Sequence, residues 1–295
     1  MREWESDGVQ IEVFHFESLP GFLVPGLIFH LTKAQQGPGV FIACGHMGDC
    51  KAANQYQRLA TELSRNGFTV VIIDWMGLGE RMSWLDANGN VVRVRSHEHN
   101  YMHLPCHLTG FNIARYMVHD ASCAITIPGN LPMVDPERIA VTGHSGSGLM
   151  TAYLAMFDER IQAAIPVCYI CDFHRRIFTA NGFDAESLIP DVMKLGINSV
   201  DPFAAFAPKP TLIGGVESDI FPTEGFRAEA QRLKGIYQAA GAPENTEYFL
   251  SPRRHSYNEA LRKRTVLFLA KHLGGPANFK LRADAEIHVR DVGDF

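Results

Sequence analysis

The fold is decided by the stretch Arg138-Ile139-Ala140-Val141-Thr142-Gly143-His144-Ser145-Gly146-Ser147-Gly148. Its first half is apolar and β-branched, its second half is rich in glycine, and an apolar run from Leu149 to Phe157 follows it. This order predicts a buried strand, a tight turn and then a helix. A serine at the tip of such a turn exposes its hydroxyl, and only small neighbours let the strand and the helix approach closely. Ser145 is therefore the candidate nucleophile.

Segments typical of strands and helices alternate on both sides of this stretch. Val9 to Phe16 alternates apolar and polar residues, and Phe22 to Leu31 is a second extended run, which together predict an antiparallel hairpin at a sheet edge. Val40 to Cys44 is a continuous apolar run, typical of a strand buried on both faces. The further predicted strands are Phe68–Asp74, Ile139–Gly143, Ala163–Val167, Thr211–Val216 and Thr246–Leu250, and the predicted helices are Asn54–Arg65, Asn112–Ile127, Leu149–Phe157, Gly225–Ala240 and Asn258–Leu273. This succession predicts an α/β protein, with a mostly parallel central sheet and helices on both faces, in a single domain over residues 1–295.

Two stretches interrupt the alternation, near residues 75–110 and residues 172–210. The first is rich in histidine, glycine and asparagine, and the second carries short helical patches between prolines. Ligands of parallel α/β sheets bind outside the carboxyl ends of the strands, where such insertions gather. Both insertions are predicted to form walls of a substrate pocket.

The composition is typical of a globular protein with a sizeable core, since 46% of the 295 residues are hydrophobic and 20% are charged. The formal net charge of −5 is spread along the chain without basic runs, which argues against nucleic-acid binding. No apolar run approaches the roughly 20 residues that span a bilayer, so no membrane partner is predicted. The N-terminus is acidic and polar, unlike a signal peptide, which predicts a cytoplasmic protein unless a leader was removed.

The cysteines and histidines predict no metal site and no redox pair. The six cysteines are expected to be reduced residues of the core. Cys168 and Cys171 have the spacing of a redox pair, but they follow a strand-like run and open no helix of the thioredoxin type. Four histidines lie in the first insertion, and His103 and His107 have helical spacing. Pro105 lies between those two and is expected to spoil a regular helix there.

The pattern around Ser145 is nearly G-x-S-x-G, the nucleophile elbow of α/β-hydrolases, with Ser147 in place of the last glycine. A serine hydroxyl attacks efficiently when an imidazole accepts its proton and a carboxylate orients the imidazole. In the α/β-hydrolase arrangement the acid and then the histidine follow the serine along the chain. Asp219 follows a predicted strand, and His255 precedes the last long helix. We predict a triad of Ser145, Asp219 and His255, with Glu217 as the alternative acid.

An oxyanion intermediate needs two backbone N–H donors beside the nucleophile. One is predicted to be Gly146, which follows the nucleophile at the start of its helix. The other should come from the turn after the first buried strand, Gly45-His46-Met47-Gly48-Asp49. We choose the N–H of His46, with that of Met47 as the alternative, because glycines flank both residues.

Several segments resemble the bacterial acetyl xylan esterase-like branch of the α/β-hydrolase superfamily. They are Val141–Gly148, Arg115–Met117, Asp184–Glu186 with Ile189-Pro190, Ala207–Pro210, Glu98-His99 and Gly77–Arg81. The resemblance runs from about Val9 to Leu273 and implies the α/β-hydrolase fold with the triad named above. It also implies a serine esterase that removes short acyl groups, often acetyl from carbohydrate, without a metal or an organic cofactor.

Five residues are predicted to bind the substrate, some from this resemblance and some from their place beside the triad. They are Met47, Glu98, His99, Glu186 and Arg254. Arg253 and Arg254 precede the triad histidine, where the resemblance leads us to expect a small residue or proline. They are typical of solvated surface charges, and Arg254 is the candidate to receive an acidic group of the substrate.

The sequence therefore predicts a serine esterase acting on carbohydrate or small-molecule esters. One alternative is a serine peptidase resembling the catalytic domain of prolyl oligopeptidases, although the chain lacks room for the propeller that usually gates that activity. The other is a non-catalytic binding protein on a hydrolase scaffold, which an intact set of serine, aspartate and histidine disfavours. The acyl group, the alcohol and the oligomeric state are not readable from the sequence, so a homo-oligomer stays open.

Overall fold

The computed structural model describes residues 3–32, 36–179, 183–275 and 279–295. Its strands are β1 (Glu3–Ser6), β2 (Val9–Leu19), β3 (Phe22–Leu31), β4 (Gly37–Ala43), β5 (Thr69–Ile73), β6 (Val134–His144), β7 (Ile161–Val167), β8 (Thr211–Ser218) and β9 (Thr246–Arg254). Its α-helices are α1 (Asn54–Arg65), α2 (Ser96–Leu108), α3 (Ala114–Asn130), α4 (Gly146–Phe157), α5 (Phe173–Arg176), α6 (Pro202–Phe206), α7 (Thr223–Ala239) and α8 (Glu259–Leu273). Short 3-10 turns lie at Cys50–Ala52, Gly79–Arg81, Ala185–Ser187, Pro243–Asn245, Asp284–Glu286 and Val292–Asp294.

The described strands form one sheet with the order β1-β2-β3-β5-β4-β6-β7-β8-β9. β1, β2 and β3 pair antiparallel, and β3 pairs antiparallel with β5. From β5 to β9 the neighbouring strands are parallel. The predicted mostly parallel sheet with an N-terminal antiparallel hairpin is confirmed. β1 was not predicted, because three of its four residues are polar and none of the four is buried.

The parallel strands are buried because helices cover both faces of the sheet. Every residue of β4 and β5 is buried, as their continuous apolar runs predict. α1 and α8 pack together on one face, and α3, α4, α6 and α7 pack in series on the other. The carboxyl ends of β4, β6, β8 and β9 therefore meet at one edge, from which the loops with the candidate site residues extend.

Several element ends differ from the sequence prediction by a few residues, and two differences have a clear physical reason. β6 begins at Val134 rather than at Ile139, because Val134 and Asp135 already pair with β4 before a register shift. α2 continues through Pro105, so the expectation that this proline spoils a regular helix is wrong. Pro105 lies in the last turn of α2, where its missing N–H removes a single hydrogen bond of the helix.

No α-helix among the described residues is long and apolar enough to cross a bilayer. All six cysteines lie in the described ranges and are free, and Cys168 and Cys171 are buried. The assignment of residues 1–295 to a single domain stays a prediction.

Candidate active site

Ser145 lies at the tip of a strained turn between β6 and α4. Its backbone has φ 61° and ψ −128°, a conformation that residues other than glycine rarely adopt. Its N–H donates to the carbonyl of Val167 on β7 over 2.9 Å, which holds the turn against the sheet. The Ser147 hydroxyl donates to the buried carbonyl of Cys44, so a hydrogen bond accommodates the serine that replaces the last glycine of the motif. The strand, turn and helix are arranged as the sequence predicts.

Gly143 has no room for a side chain. A Cβ there would lie 2.7 Å from the carbonyl carbon of Ser147 and 2.8 Å from the hydroxyl oxygen of Thr151. We expect Gly143→Ala to lower the free energy of unfolding by about 1–3 kcal/mol, because backbone atoms of the elbow must shift to admit the methyl group. Denaturant unfolding measures this change.

Gly235 provides the matched control, because it lies inside α7 and a Cβ there meets no heavy atom within 4 Å. We expect Gly235→Ala to raise the free energy of unfolding by about 0.4–1 kcal/mol, since alanine restricts the unfolded chain and favours the helix. Equal effects of the two substitutions would contradict the packing explanation for Gly143.

His255 links Ser145 to Asp219 through two hydrogen bonds. Its Nε2 lies 2.9 Å from the Oγ of Ser145, and its Nδ1 lies 2.7 Å from Oδ1 of Asp219. An ionised carboxylate only accepts, so Nδ1 carries the proton and Nε2 of the neutral ring is the acceptor for the serine hydroxyl. Glu217 is exposed, and its carbonyl accepts a hydrogen bond from Thr223. The structure thus brings Asp219, and not Glu217, against His255.

Two aromatic rings enclose His255. The His144 ring lies 4.6 Å away between centroids, and the Phe221 ring meets it edge-on at 5.9 Å. Burial lowers the pKa of His144 well below its ordinary value, and the charges of His255 and His46 lower it further. Sequence reasoning gave His144 no role, although its position directly before the nucleophile was the available signal.

The turn after β4 brings His46 and Met47 to the elbow. Gly45 has no room for a side chain, because a Cβ there would lie 2.5 Å from the carbonyl oxygen of His144. The Met47 N–H donates to the carbonyl of Gly45 over 2.6 Å, so this alternative oxyanion donor is already engaged. Gly146 is the first residue of α4, where an N–H has no acceptor inside the helix. The N–H groups of His46 and Gly146 stay our prediction for the oxyanion donors.

Glu98, predicted to bind the substrate, lies in the interior of the first insertion rather than at an open surface. It is fully buried, and its carboxylate accepts a hydrogen bond of 3.0 Å from the N–H of Ser83. Its side chain also fills the space beside Gly77, where a Cβ would lie 3.1 Å from it. In this structure Glu98 supports the loop from residue 77 to residue 83, and a contact with substrate would require that loop to move.

His99 and Glu186, also predicted to bind the substrate, form a cluster with His46 and Asp184, hereafter the His46 cluster. Nε2 of His46 lies 2.8 Å from Oε1 of Glu186 and 3.0 Å from Nδ1 of His99. His99 and Glu186 are fully buried, and both contact the ring of His46. Asp184 approaches Nδ1 of His46 to 3.5 Å. Sequence reasoning left Asp184 out of the site, although it belongs to the segment Asp184–Glu186 that carried the resemblance.

A polar cavity of about 510 Å³ lies against Ser256, the residue that follows His255 in the chain. Met47 and Ser256 line it, together with charged side chains of Asp49, Arg58, Asp284, Arg290 and Asp291. Arg254 is exposed, which agrees with a solvated charge, and its contact with a substrate stays a prediction. A second cavity of about 580 Å³, mostly apolar, lies among α3, α4 and the second insertion. None of the three predicted triad residues lines either cavity.

Within the described residues, two groups of three histidine, cysteine or acidic side chains converge closely enough to surround an ion. One consists of His144, Cys168 and His255, and the other of His46, His99 and Glu186. The first includes the triad histidine, and the second is held together by its own ion pairs and hydrogen bonds. We assign no metal to either group, and the absence of a cofactor stays a prediction.

Comparisons with known proteins agree with this architecture. Residues 109–194 match the family acetyl xylan esterase (AXE1). This range contains α3, β6, the elbow, α4, β7 and part of the second insertion. The protein YtaP of Bacillus subtilis (strain 168), which is named as a hydrolase, is 25% identical over 293 residues, covering 90% of this chain and 93% of that protein.

Two solved structures have the same fold. Methylesterase BT1017 has a TM-score of 0.79 at 21% identity, and the match covers 99% of this chain and 61% of that one. The chain therefore spans about three fifths of the length of that structure. A Bacteroides fragilis NCTC 9343 crystal structure, described as an acetyl xylan esterase, has a TM-score of 0.69 at 18% identity and covers 85% of this chain and 68% of that one. The sheet order, the strained elbow and these matches show that the chain has the α/β-hydrolase fold and resembles the acetyl xylan esterases.

Proposed function

We propose that the chain hydrolyses carboxylic esters through a serine acyl-enzyme. The observation that carries the proposal is the continuous hydrogen-bonded chain from the Oγ of Ser145 through His255 to Asp219, with distances of 2.9 and 2.7 Å. The match to an esterase family supports an ester as the substrate. The strained backbone at Ser145 supports its role as nucleophile, because such strain recurs at functional turns.

In the first half of the reaction, Nε2 of His255 takes the proton of Ser145 while Oγ attacks the ester carbonyl. The negative charge that forms on the carbonyl oxygen is stabilised by the N–H groups of His46 and Gly146. The protonated His255 is stabilised by Asp219 and gives its proton to the departing alcohol. The acyl group is then bonded to Ser145 as an ester.

In the second half, water replaces the alcohol. His255 takes a proton from the water, and the resulting hydroxide attacks the acyl carbonyl. The intermediate collapses, the proton returns from His255 to Ser145, and the carboxylic acid is released. Each proton transfer is assigned to a residue of this chain, so the mechanism invokes no cofactor.

We propose that the substrate is a short acyl ester, and we place its alcohol in the polar cavity beside Met47 and Ser256. That cavity, of about 510 Å³, offers charged groups on several sides and suits a hydroxyl-rich alcohol such as a carbohydrate. The names of the matched family and of the two solved structures, acetyl xylan esterase and methylesterase, support a small group on one side of the ester. The exposed Arg254 is the candidate contact for an acidic alcohol.

A fluorophosphonate probe tests the proposed nucleophile. An activated serine attacks the phosphorus and displaces fluoride, so we expect the folded protein to gain one probe adduct on the peptide that contains Ser145. Mass spectrometry of the digested protein locates the adduct. Protein unfolded in urea before exposure is the control and should gain none, because the contact between Ser145 and His255 is then lost. Labelling of another residue, or of none, would contradict the assignment of Ser145.

A further inference from the structure

The His46 cluster lies against the nucleophile elbow but outside the triad. A Cβ at Gly146 would lie 2.5 Å from Cε1 and 3.0 Å from Nδ1 of the His46 ring. The same Cβ would lie 3.2 Å from Oε1 of Glu186. Because Gly146 has no side chain, an imidazole and a carboxylate pack directly against the residue whose N–H we propose as an oxyanion donor.

The contacts of the two imidazole rings restrict the proton positions in this cluster. Nε2 of His99 lies 2.6 Å from the carbonyl oxygen of Met76, which only accepts, so Nε2 carries a proton. Nδ1 of His99 lies 3.0 Å from Nε2 of His46 and 3.3 Å from Oε2 of Glu186. Nε2 of His46 lies 2.8 Å from Oε1 of Glu186, and a carboxylate oxygen at this distance favours a proton on that nitrogen. Nδ1 of His46 faces a carboxylate oxygen of Asp184 at 3.5 Å. Acceptors on both sides of the ring favour the doubly protonated imidazolium.

The charged and titratable groups that face His46 come from several elements of the fold. They are Glu186 and Asp184 from the second insertion, His99 from α2, Arg176 from α5 and His144 at the end of β6. Burial lowers the pKa of His46, but the charge and hydrogen bond of Glu186 and the charge of Asp184 outweigh it and raise this pKa above its ordinary value. Burial raises the pKa of Glu186, but the charges of His46 and His99 hold it well below its usual range. The two groups therefore favour each other's charged forms.

We propose that the imidazolium of His46 supplies positive charge at the oxyanion site, in addition to the backbone N–H of the same residue. This inference rests on the serine-esterase function proposed above. Glu186 is a positioning residue, because it acts by keeping the His46 ring protonated and pressed against Gly146. His99 holds the same ring through its Nδ1, and the carbonyl of Met76 fixes the tautomer of His99.

The charge of His46 should affect the rate more than substrate binding. Negative charge develops on the carbonyl oxygen only on the way to the tetrahedral intermediate, so a nearby cation stabilises the transition state more than the bound substrate. The rate should also depend on the protonation of His46. As the pH rises through the raised pKa of this residue, the cation is lost and the rate should fall.

Glu186→Gln tests the inference, because glutamine keeps the shape of the side chain and removes its charge. We expect kcat for p-nitrophenyl acetate at neutral pH to fall roughly tenfold to a hundredfold, with KM changed by less than about threefold. We also expect the alkaline limb of the pH profile of kcat/KM to move to lower pH, because burial then favours the neutral His46. Glu229→Gln is the matched control, a buried carboxylate on α7 outside the site, and should change neither kcat nor the profile.

Nitrogen-15 NMR of the wild-type imidazoles tests the same inference without an activity assay. We expect both ring nitrogens of His46 to remain protonated at about pH 7.5, where an ordinary histidine with a pKa of about 6.5 is largely neutral. Loss of its signals in His46→Gln assigns them to this residue. This measurement needs only the wild-type fold, so it decides the question even if Glu186→Gln does not fold.

The outcomes separate this inference from the proposed function. If the wild-type protein is an esterase but its His46 is neutral at about pH 7.5, the inference is wrong and the proposed function still holds. The same conclusion follows if Glu186→Gln folds and the alkaline limb of its pH profile is unchanged. If the wild-type protein shows no esterase activity that requires Ser145, the proposed function is wrong, and the inference is wrong with it.

Discussion

Replacing Ser145 by alanine is expected to lower kcat/KM for p-nitrophenyl acetate by roughly three to six orders of magnitude. Alanine lacks the Oγ that lies 2.9 Å from Nε2 of His255, so no acyl-enzyme can form at this position. The neighbouring Ser147 cannot replace it, because its hydroxyl donates to the buried carbonyl of Cys44. At 1.36 kcal/mol per factor of ten, the loss corresponds to about 4–8 kcal/mol of transition-state stabilisation.

The control is Ser6→Ala, which changes a serine at the end of β1, on the edge of the sheet opposite to β9. It should leave kcat/KM within about threefold of the wild-type value, because surface changes away from the site have small effects. Circular dichroism and thermal unfolding should show that both variants keep the fold. Near-normal hydrolysis by folded Ser145→Ala would exclude Ser145 as the nucleophile.

The elbow could be predicted from the sequence because its determinants are local. The apolar run of β6, the glycines at 143 and 146 and the helix that follows lie within one continuous stretch. The steric demand at Gly143 also comes from nearby residues, since a Cβ there meets Ser147 and Thr151. Strand, turn and helix follow from such local constraints, whereas their exact ends depend on partners such as the pairing of Val134 with β4.

The His46 cluster could not be predicted from the sequence, because its contacts join segments that are far apart. His46 and His99 are separated by 53 positions, and their 3.0 Å contact depends on the path of the first insertion. The resemblance named His99 and Glu186 as site residues, but it did not indicate which atoms meet or that Glu186 is fully buried. The proton positions follow only once the carbonyl of Met76 is placed beside His99.

Buried ion pairs that hold the first insertion are a further feature that the sequence pattern did not reveal. Lys51 lies 2.6 Å from Asp74, and Arg81 lies 2.7 Å from Asp120. All four side chains are almost fully buried, so removal of one partner would leave an uncompensated charge in the core. Arg81 belongs to the segment Gly77–Arg81 that carried the resemblance. Its buried ion pair therefore gives that segment a structural role beside the site.

The choice between Asp219 and Glu217 was open at the level of sequence for a physical reason. Side chains two positions apart lie on the same side of a regular strand, so alternation alone cannot separate the two carboxylates. The pairing of β8 with β9 shifts register between Val216 and Ser218, and β8 ends at Ser218. Beyond that point the chain turns, which brings Asp219 to His255 and leaves Glu217 exposed.

Asp219→Asn is expected to lower kcat by roughly three to four orders of magnitude. The asparagine amide can donate to Nδ1 of His255, which favours the tautomer with the proton on Nε2. That nitrogen then cannot accept the proton of Ser145, and the protonated His255 loses the carboxylate that stabilises it. Stopped-flow or steady-state hydrolysis of p-nitrophenyl acetate measures the loss, and the side chain volume is nearly unchanged.

Glu217→Gln is the matched control, because it removes one carboxylate charge two positions away from Asp219. Glu217 is exposed and its side chain lies outside the hydrogen-bonded chain, so we expect kcat to remain within about threefold of the wild-type value. A severe loss in Glu217→Gln together with a mild one in Asp219→Asn would reverse the assignment of the acid. Comparable mild effects of both would mean that His255 is oriented by another group, and the proposed order of proton transfers would have to be abandoned.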